Sequence, residues 1–266
     1  SRTECIDESG NPRKIIIAGA GRRCIWDAVS QAWACSGLDD DTARWADIRL
    51  IGRNYNLSRD DIYFLERRCI IVHAEAGNPG RPVLKVIVDA ATSLPLLLEV
   101  TRPAGGATFG YRFETISFEP FDSALLAVPD DDEKAAVQSA DVPAPEHVAL
   151  DEARRRMPFD VPVPQYLPDG FALTDCVIKD ETVTLTYGDG LTTISLYLQQ
   201  APDRWRPVPT DTLAFTEVKR SGRSVIWAER HRSIILTTVA GTVKATVIGE
   251  IPLPELLDLS FSLAAS

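Results

Sequence analysis

The fold is decided by residues 68–101, RCIIVHAEAGNPGRPVLKVIVDAATSLPLLLEVT. Three apolar runs rich in β-branched residues lie in this stretch: Arg68–Ala74, Val83–Asp89 and Leu96–Thr101. The first two are separated by Gly77-Asn78-Pro79-Gly80-Arg81-Pro82, a segment made almost wholly of turn formers. A parallel return needs a crossover of about a dozen residues or more, so such short links predict antiparallel neighbours. A fourth run, Thr108–Phe118, follows the turn Ala104-Gly105-Gly106 and completes a predicted meander.

Working outward toward the N-terminus, Leu50–Leu57 reads as a further strand, and a short helix is expected across Asp41–Asp47, after the acidic turn Asp39-Asp40-Asp41. Lys14–Ala18 is a strand with no element expected before it. Between them, Cys24-Ile25-Trp26-Asp27-Ala28-Val29-Ser30-Gln31-Ala32-Trp33-Ala34-Cys35 folds as a hairpin if it turns at Val29-Ser30. Cys24 then faces Cys35 and Trp26 faces Trp33. That pair is a disulfide in an oxidising compartment and two buried thiols in a reducing one. Cys69 and Cys176 lie in apolar runs and read as core thiols.

Toward the C-terminus, residues 129–151 carry Asp130-Asp131-Asp132-Glu133 followed by Ala, Pro and Glu without apolar periodicity, which is linker composition. The chain is therefore expected as a first domain over 1–128, a linker over 129–151 with a turn or two of helix at Leu150–Arg156, and a second domain over 152–266. The second domain repeats the β pattern. Leu173–Lys179 and Thr182–Tyr187 form a hairpin, Gly188-Asp189-Gly190 turns the chain into Thr192–Gln199, and Ser224–Glu229, Ser233–Val239 and Thr242–Ile248 follow. Leu253–Leu263 has helical apolar spacing. The fold class is mainly β, antiparallel, with a C-terminal helix.

At 266 residues with 45% hydrophobic and 25% charged residues, each half can bury a core without metal or disulfides. The net charge of −10 opposes a nucleic-acid partner, whose phosphates demand clustered Lys and Arg. No stretch approaches the roughly 20 apolar residues of a membrane helix. The polar opening SRTECIDESG is no signal peptide, and the early strand suggests that residues precede Ser1 in the natural protein: a signal, an anchor or opening strands.

No catalytic constellation emerges. Gly19-Ala20-Gly21 lacks the third glycine of a dinucleotide loop, because Cys24 stands there. His73-Ala74-Glu75 lacks the P-C-x-x-C partner of a zinc deaminase. The three histidines, His73, His147 and His231, are expected on a strand, in the linker and in a turn, too scattered for a metal. No cofactor is expected. Asn56-Leu57-Ser58 matches the glycosylation acceptor pattern. Arg204-Trp205-Arg206, in a Pro-rich loop, has the composition of a docking hot spot, although Trp205 folding back on its own sheet would explain it equally.

Several segments, in order, resemble the MucB/RseB family of extracytoplasmic regulators. They are Leu50–Tyr55 with its Asn-Tyr pair, Arg68–Val72, Val88–Leu96 ending in Leu94-Pro95-Leu96, and Phe113-Glu114-Thr115-Ile116. In the second half they are Tyr166-Leu167-Pro168-Asp169-Gly170-Phe171, Leu185–Leu191, Ile194–Tyr197 and Val247–Pro252. The sequence departs from the family at Glu66-Arg67-Arg68, where Ala-Gly-Arg is usual, and its N-terminal strands look short or absent. The resemblance implies a curved antiparallel half-barrel similar to the lipoprotein carriers LolA and LolB, followed by a smaller antiparallel β domain. It also implies a periplasmic or extracytoplasmic protein that binds the outer segment of a transmembrane anti-sigma factor and holds a lipid or lipoprotein. On that reading the apolar ligand meets Trp26, Trp33 and Trp45, and the partner meets Arg204, Trp205 and Arg206. A lipid or lipoprotein carrier and an envelope hydrolase are the alternatives.

Overall fold

The computed structural model describes residues 2–6, 11–19, 22–29, 32–37, 47–102, 108–116, 145–202, 214–230 and 233–264. It is mostly β, with antiparallel sheets, none closed into a barrel. The packing divides the chain into two compact units, Ser1–Trp45 with Ile116–Val142, and Ala46–Thr115 with Pro143–Ser266.

The first unit holds a four-stranded meander of β1 (Arg2–Ile6), β2 (Pro12–Gly19), β3 (Arg22–Asp27) and β4 (Ala32–Gly37). Strand β1 is a correction: the polar opening segment pairs with β2, Cys5 opposite Lys14, and a bulge follows at Ile6. An edge strand needs no apolar alternation, which is why the sequence did not mark it. The β3–β4 hairpin turns at Ala28-Val29, where the Val29 amide donates to Asp27 Oδ1 at 2.9 Å. Its register sets Cys24 opposite Cys35 and Trp26 opposite Trp33, as the hairpin reading required.

The second unit opens with a helix, α1 (Ile48–Asn54), and this also corrects the expectation of a strand over Leu50–Leu57. The reason is local and tertiary together. Asp47 caps the helix by accepting from the Arg49 and Leu50 amides at 2.9 and 3.3 Å. Ile51 then packs against Gly190, whose φ is +114° and on which a β-carbon would stand 2.6 Å from the Ile51 nitrogen, so only glycine fits. Only from Tyr55 does the chain extend, as β5 (Tyr55–Phe64). Strands β6 (Arg67–Ala76), β7 (Val83–Asp89), β8 (Pro95–Thr101) and β9 (Thr108–Arg112) follow in a five-stranded meander, the one predicted from residues 68–101 with β5 added.

The larger sheet of this unit has eight strands. The end of the expected linker belongs to it: β10 (Glu146–His147) pairs with β12 (Ala172–Lys179), and α2 (Leu150–Arg156) follows β10. Residues 129–144 lie outside the described residues. The order β10-β12-β13-β14-β18-β17-β16-β15 uses β13 (Thr182–Gly188), β14 (Thr193–Gln200), β15 (Thr216–Arg220), β16 (Arg223–Arg230), β17 (Ser233–Ala240) and β18 (Val243–Gly249). In β13 the burial alternates strictly, Val183, Leu185 and Tyr187 inward and the threonines outward. Short β11 (Val163–Pro164) pairs with β19 (Leu263–Ala264). Between them α3 (Leu253–Phe261) buries Leu256 and Leu259 on the sheet, and Leu256 Cδ2 lies 2.9 Å from where a β-carbon on Gly249 would stand. Leu185, Ile194, Leu196, Leu198 and Leu236 are wholly buried in this core. Truncating any one of them to alanine is a loss of about 2–5 kcal/mol.

Candidate ligand and partner surfaces

The residues singled out for an apolar ligand are only partly placed. Trp26 is half-buried on β3, with Trp33 opposite it on β4, and Trp45 lies outside the described residues. Arg204, Trp205 and Arg206 also lie outside them. Cys24 is fully buried and disulfide-bonded, and the residue across from it is Cys35. Cys69 and Cys176 are buried free thiols, and burial pushes both above the usual thiol range, away from the reactive thiolate.

The two described histidines lie on different strands. His73 is half-buried on β6, opposite Ser58 and Lys85. His147, expected in the linker, sits on β10 with Nδ1 2.9 Å from Asp175 Oδ1. His231 is outside the described residues, among which no group of ligating side chains could hold a metal. The glycosylation-pattern residue Asn56 is exposed on β5.

A polar seam within the second unit escaped sequence reading altogether. Arg81 was read only as a turn residue and Asp189 only as the centre of a turn, yet their side chains are 3% and 2% exposed. Arg81 donates through both terminal nitrogens to Glu255, at 3.1 and 2.6 Å, and its guanidinium lies 5.1 Å from the centre of the Phe171 ring. Its Nε is 3.5 Å from Asp189 Oδ2 without a hydrogen bond. That same carboxylate oxygen accepts from the Tyr55 hydroxyl at 2.9 Å. Asn54 Nδ2, at the end of α1, donates to the Gly170 and Asp189 carbonyls, both at 2.8 Å. Arg102 and Glu250 form a further ion pair.

The electrostatics follow from burial and pairing. Burial, the Asp189 charge and the hydrogen bond to it all raise the Tyr55 hydroxyl far above its ordinary pKa, so it stays a donor. Burial works against the Arg81 charge, and Glu255 and Asp189 more than offset it, leaving its pKa above the usual value. Arg81 stays charged and cannot act as an acid or a base. The seam joins the five-stranded meander to the eight-stranded sheet and is not reaction chemistry.

No protein-family model matches the chain, and no curated protein matches it. Solved structures do. The chain aligns over its full length with 87% of MucB in a crystal structure with MucA(peri), at 18% identity and a TM-score of 0.53. The complex of Pseudomonas aeruginosa MucA and MucB gives the same coverage, 18% identity and a TM-score of 0.52. At that identity the likeness speaks for the fold, and it bears out at that level the resemblance read from the ordered segments above. Over its whole length, this chain has the fold of MucB.

Proposed function

We propose that the chain is an extracytoplasmic regulatory protein that binds the outer segment of a transmembrane anti-sigma factor in sigma-E-type signalling. The observation that carries this reading is the alignment of the entire chain with MucB in two structures where MucB is held in complex with MucA. A single shared domain would support much less. The acidic charge and the scattered histidines agree with a binding role rather than with turnover. Among the described residues no helix is long and apolar enough to cross a membrane. The finer assignments are the partner contact at Arg204, Trp205 and Arg206, and a lipid or lipoprotein ligand at Trp26, Trp33 and Trp45.

The test is calorimetric titration of the chain with purified outer segments of anti-sigma factors. Saturable binding is expected, and Trp205→Ala should weaken it by about 2 kcal/mol, as loss of an interface anchor does, with an unchanged melting temperature. A large stability loss with unaltered affinity would move Trp205 to the protein's own core. Absence of binding to every such segment, with transfer of a co-purified lipid to an acceptor protein, would make the chain a carrier instead.

A further inference from the structure

Strand β5 is ten residues long, Tyr55–Phe64, and pairs along its whole length with β6. Among the described residues nothing pairs with its other side. Asn56, Leu57, Ser58, Arg59, Asp60 and Asp61 are all exposed in succession, which a strand flanked on both sides does not show. Two large apolar side chains stand in solvent here, Leu57 at 56% and Tyr63 at 77% exposure. Arg59 and Asp61 are exposed and enter no ion pair among the described residues. An open edge this long is a template for another strand unless something blocks it, and β5 has no proline or bulge.

We propose that this edge pairs with β5 of a second copy of the chain. In an antiparallel pair each residue faces one of the same hydrogen-bonding class, so a two-fold pairing must be centred on a residue facing its own copy. Centring on Arg59 or on Asp61 sets like charges opposite one another and wastes the pair. Centring on Asp60 sets Arg59 opposite Asp61 twice and Leu57 opposite Tyr63 twice, all on one face of the joined sheet. Opposite charges and an aromatic with an aliphatic are the cross-strand pairs that stabilise a sheet. The cost is Asp60 facing Asp60, so the association is weak, and its area is below that of a standard stable interface.

Sedimentation of the full chain over a micromolar-to-millimolar series at neutral pH tests this. A concentration-dependent dimer is expected. Arg59→Asp should raise its dissociation constant by at least about tenfold. Arg59→Asp combined with Asp61→Arg restores opposite charges and should return affinity to about the original value, while Asp60→Asn should tighten it. These side chains are exposed, and circular dichroism melts check that each variant folds. A monomer at every concentration in both the parent and Asp60→Asn overturns the proposal, as does a dimer unmoved by Arg59→Asp. A monomer whose Arg59→Asp variant loses affinity for a partner's extended segment assigns the edge to that partner and overturns it equally.

Discussion

At the hairpin from β5 to β6 the two loop residues, Leu65 and Glu66, sit at φ +49° and +61°. Two positive φ values make the type I′ turn that suits strand twist, and glycine is the residue that holds it without steric cost. Glu66 is therefore tolerated rather than preferred there. Glu66→Gly should stabilise by about 0.5 kcal/mol, the left-handed penalty outweighing glycine's unfolded-state entropy, and Glu66→Val should destabilise. Thermal melts of the two variants moving in the same direction would refute the assignment. Asp89, 1% exposed, closes the turn from β7 to β8. Its carboxylate accepts from Arg67, then from the Thr92 hydroxyl and amide, each at 2.8 Å, and these bonds hold its pKa well below the usual carboxylate range. A depressed folded-state pKa means that the stabilisation is complete above the unfolded value, about 4, and is lost as pH falls below it. The melting-temperature gap between the parent and Asp89→Asn should be constant from neutral pH down to about 5 and narrow below 4. A gap independent of pH would show that Asp89 acts as a packing group only.

Among elements, the hairpin β3–β4 carries the sharpest expectation. Cys24 is disulfide-bonded and faces Cys35, whereas Cys5 lies opposite Lys14, two strands away from Cys24 in the sheet order. Peptide mapping without reduction should recover Cys24 joined to Cys35, with Cys69 and Cys176 alkylated only after unfolding. Closing a loop of about ten residues contributes roughly 2–3 kcal/mol in the chain-entropy account. A bond from Cys24 to Cys5 would refute the pairing, and so would a free Cys24 in protein recovered from an oxidising compartment. The strands hidden from sequence reading share one property. Strands β1 and β15 lie at sheet edges, and in β15, Thr216-Glu217-Val218-Lys219-Arg220, every residue is exposed except the half-buried Val218. An edge strand is held by backbone hydrogen bonds to one neighbour, so its side chains carry little apolar signal.

At the scale of the molecule, the five-stranded meander belongs with the C-terminal sheet in one compact unit, held by the Arg81–Glu255–Asp189 seam. The acidic, Pro- and Ala-rich composition of 129–144 still makes that stretch the expected first site of limited proteolysis. The two fragments should then co-elute in the parent protein. Arg81→Ala leaves Asp189 and Glu255 without their cation, Asp189 keeping the Tyr55 hydroxyl and the Leu191 and Thr192 amides, a loss of about 3 kcal/mol, and should let them separate. Fragments of the parent that part on a sizing column would refute the seam's role. First cleavage elsewhere would refute the boundary.

What residues 68–101, 173–199 and 224–248 determine by themselves is the β class, the hairpin order and most inward side chains. That information is local, because a strand's two faces alternate residue by residue and its turns are written in glycine, proline and asparagine. The sequence also set Cys24 against Cys35, since a single hairpin fixes that register. Only the tertiary structure decided that Ile48–Asn54 coils before β5 extends, and that Arg81 and Asp189 are core residues. Asn54 meets Gly170 across 116 positions of chain and Arg81 meets Glu255 across 174. A charged residue in a turn carries no local mark of being buried. Its burial depends on a partner of opposite charge, brought to it by strands whose own sequence says nothing of where they will lie.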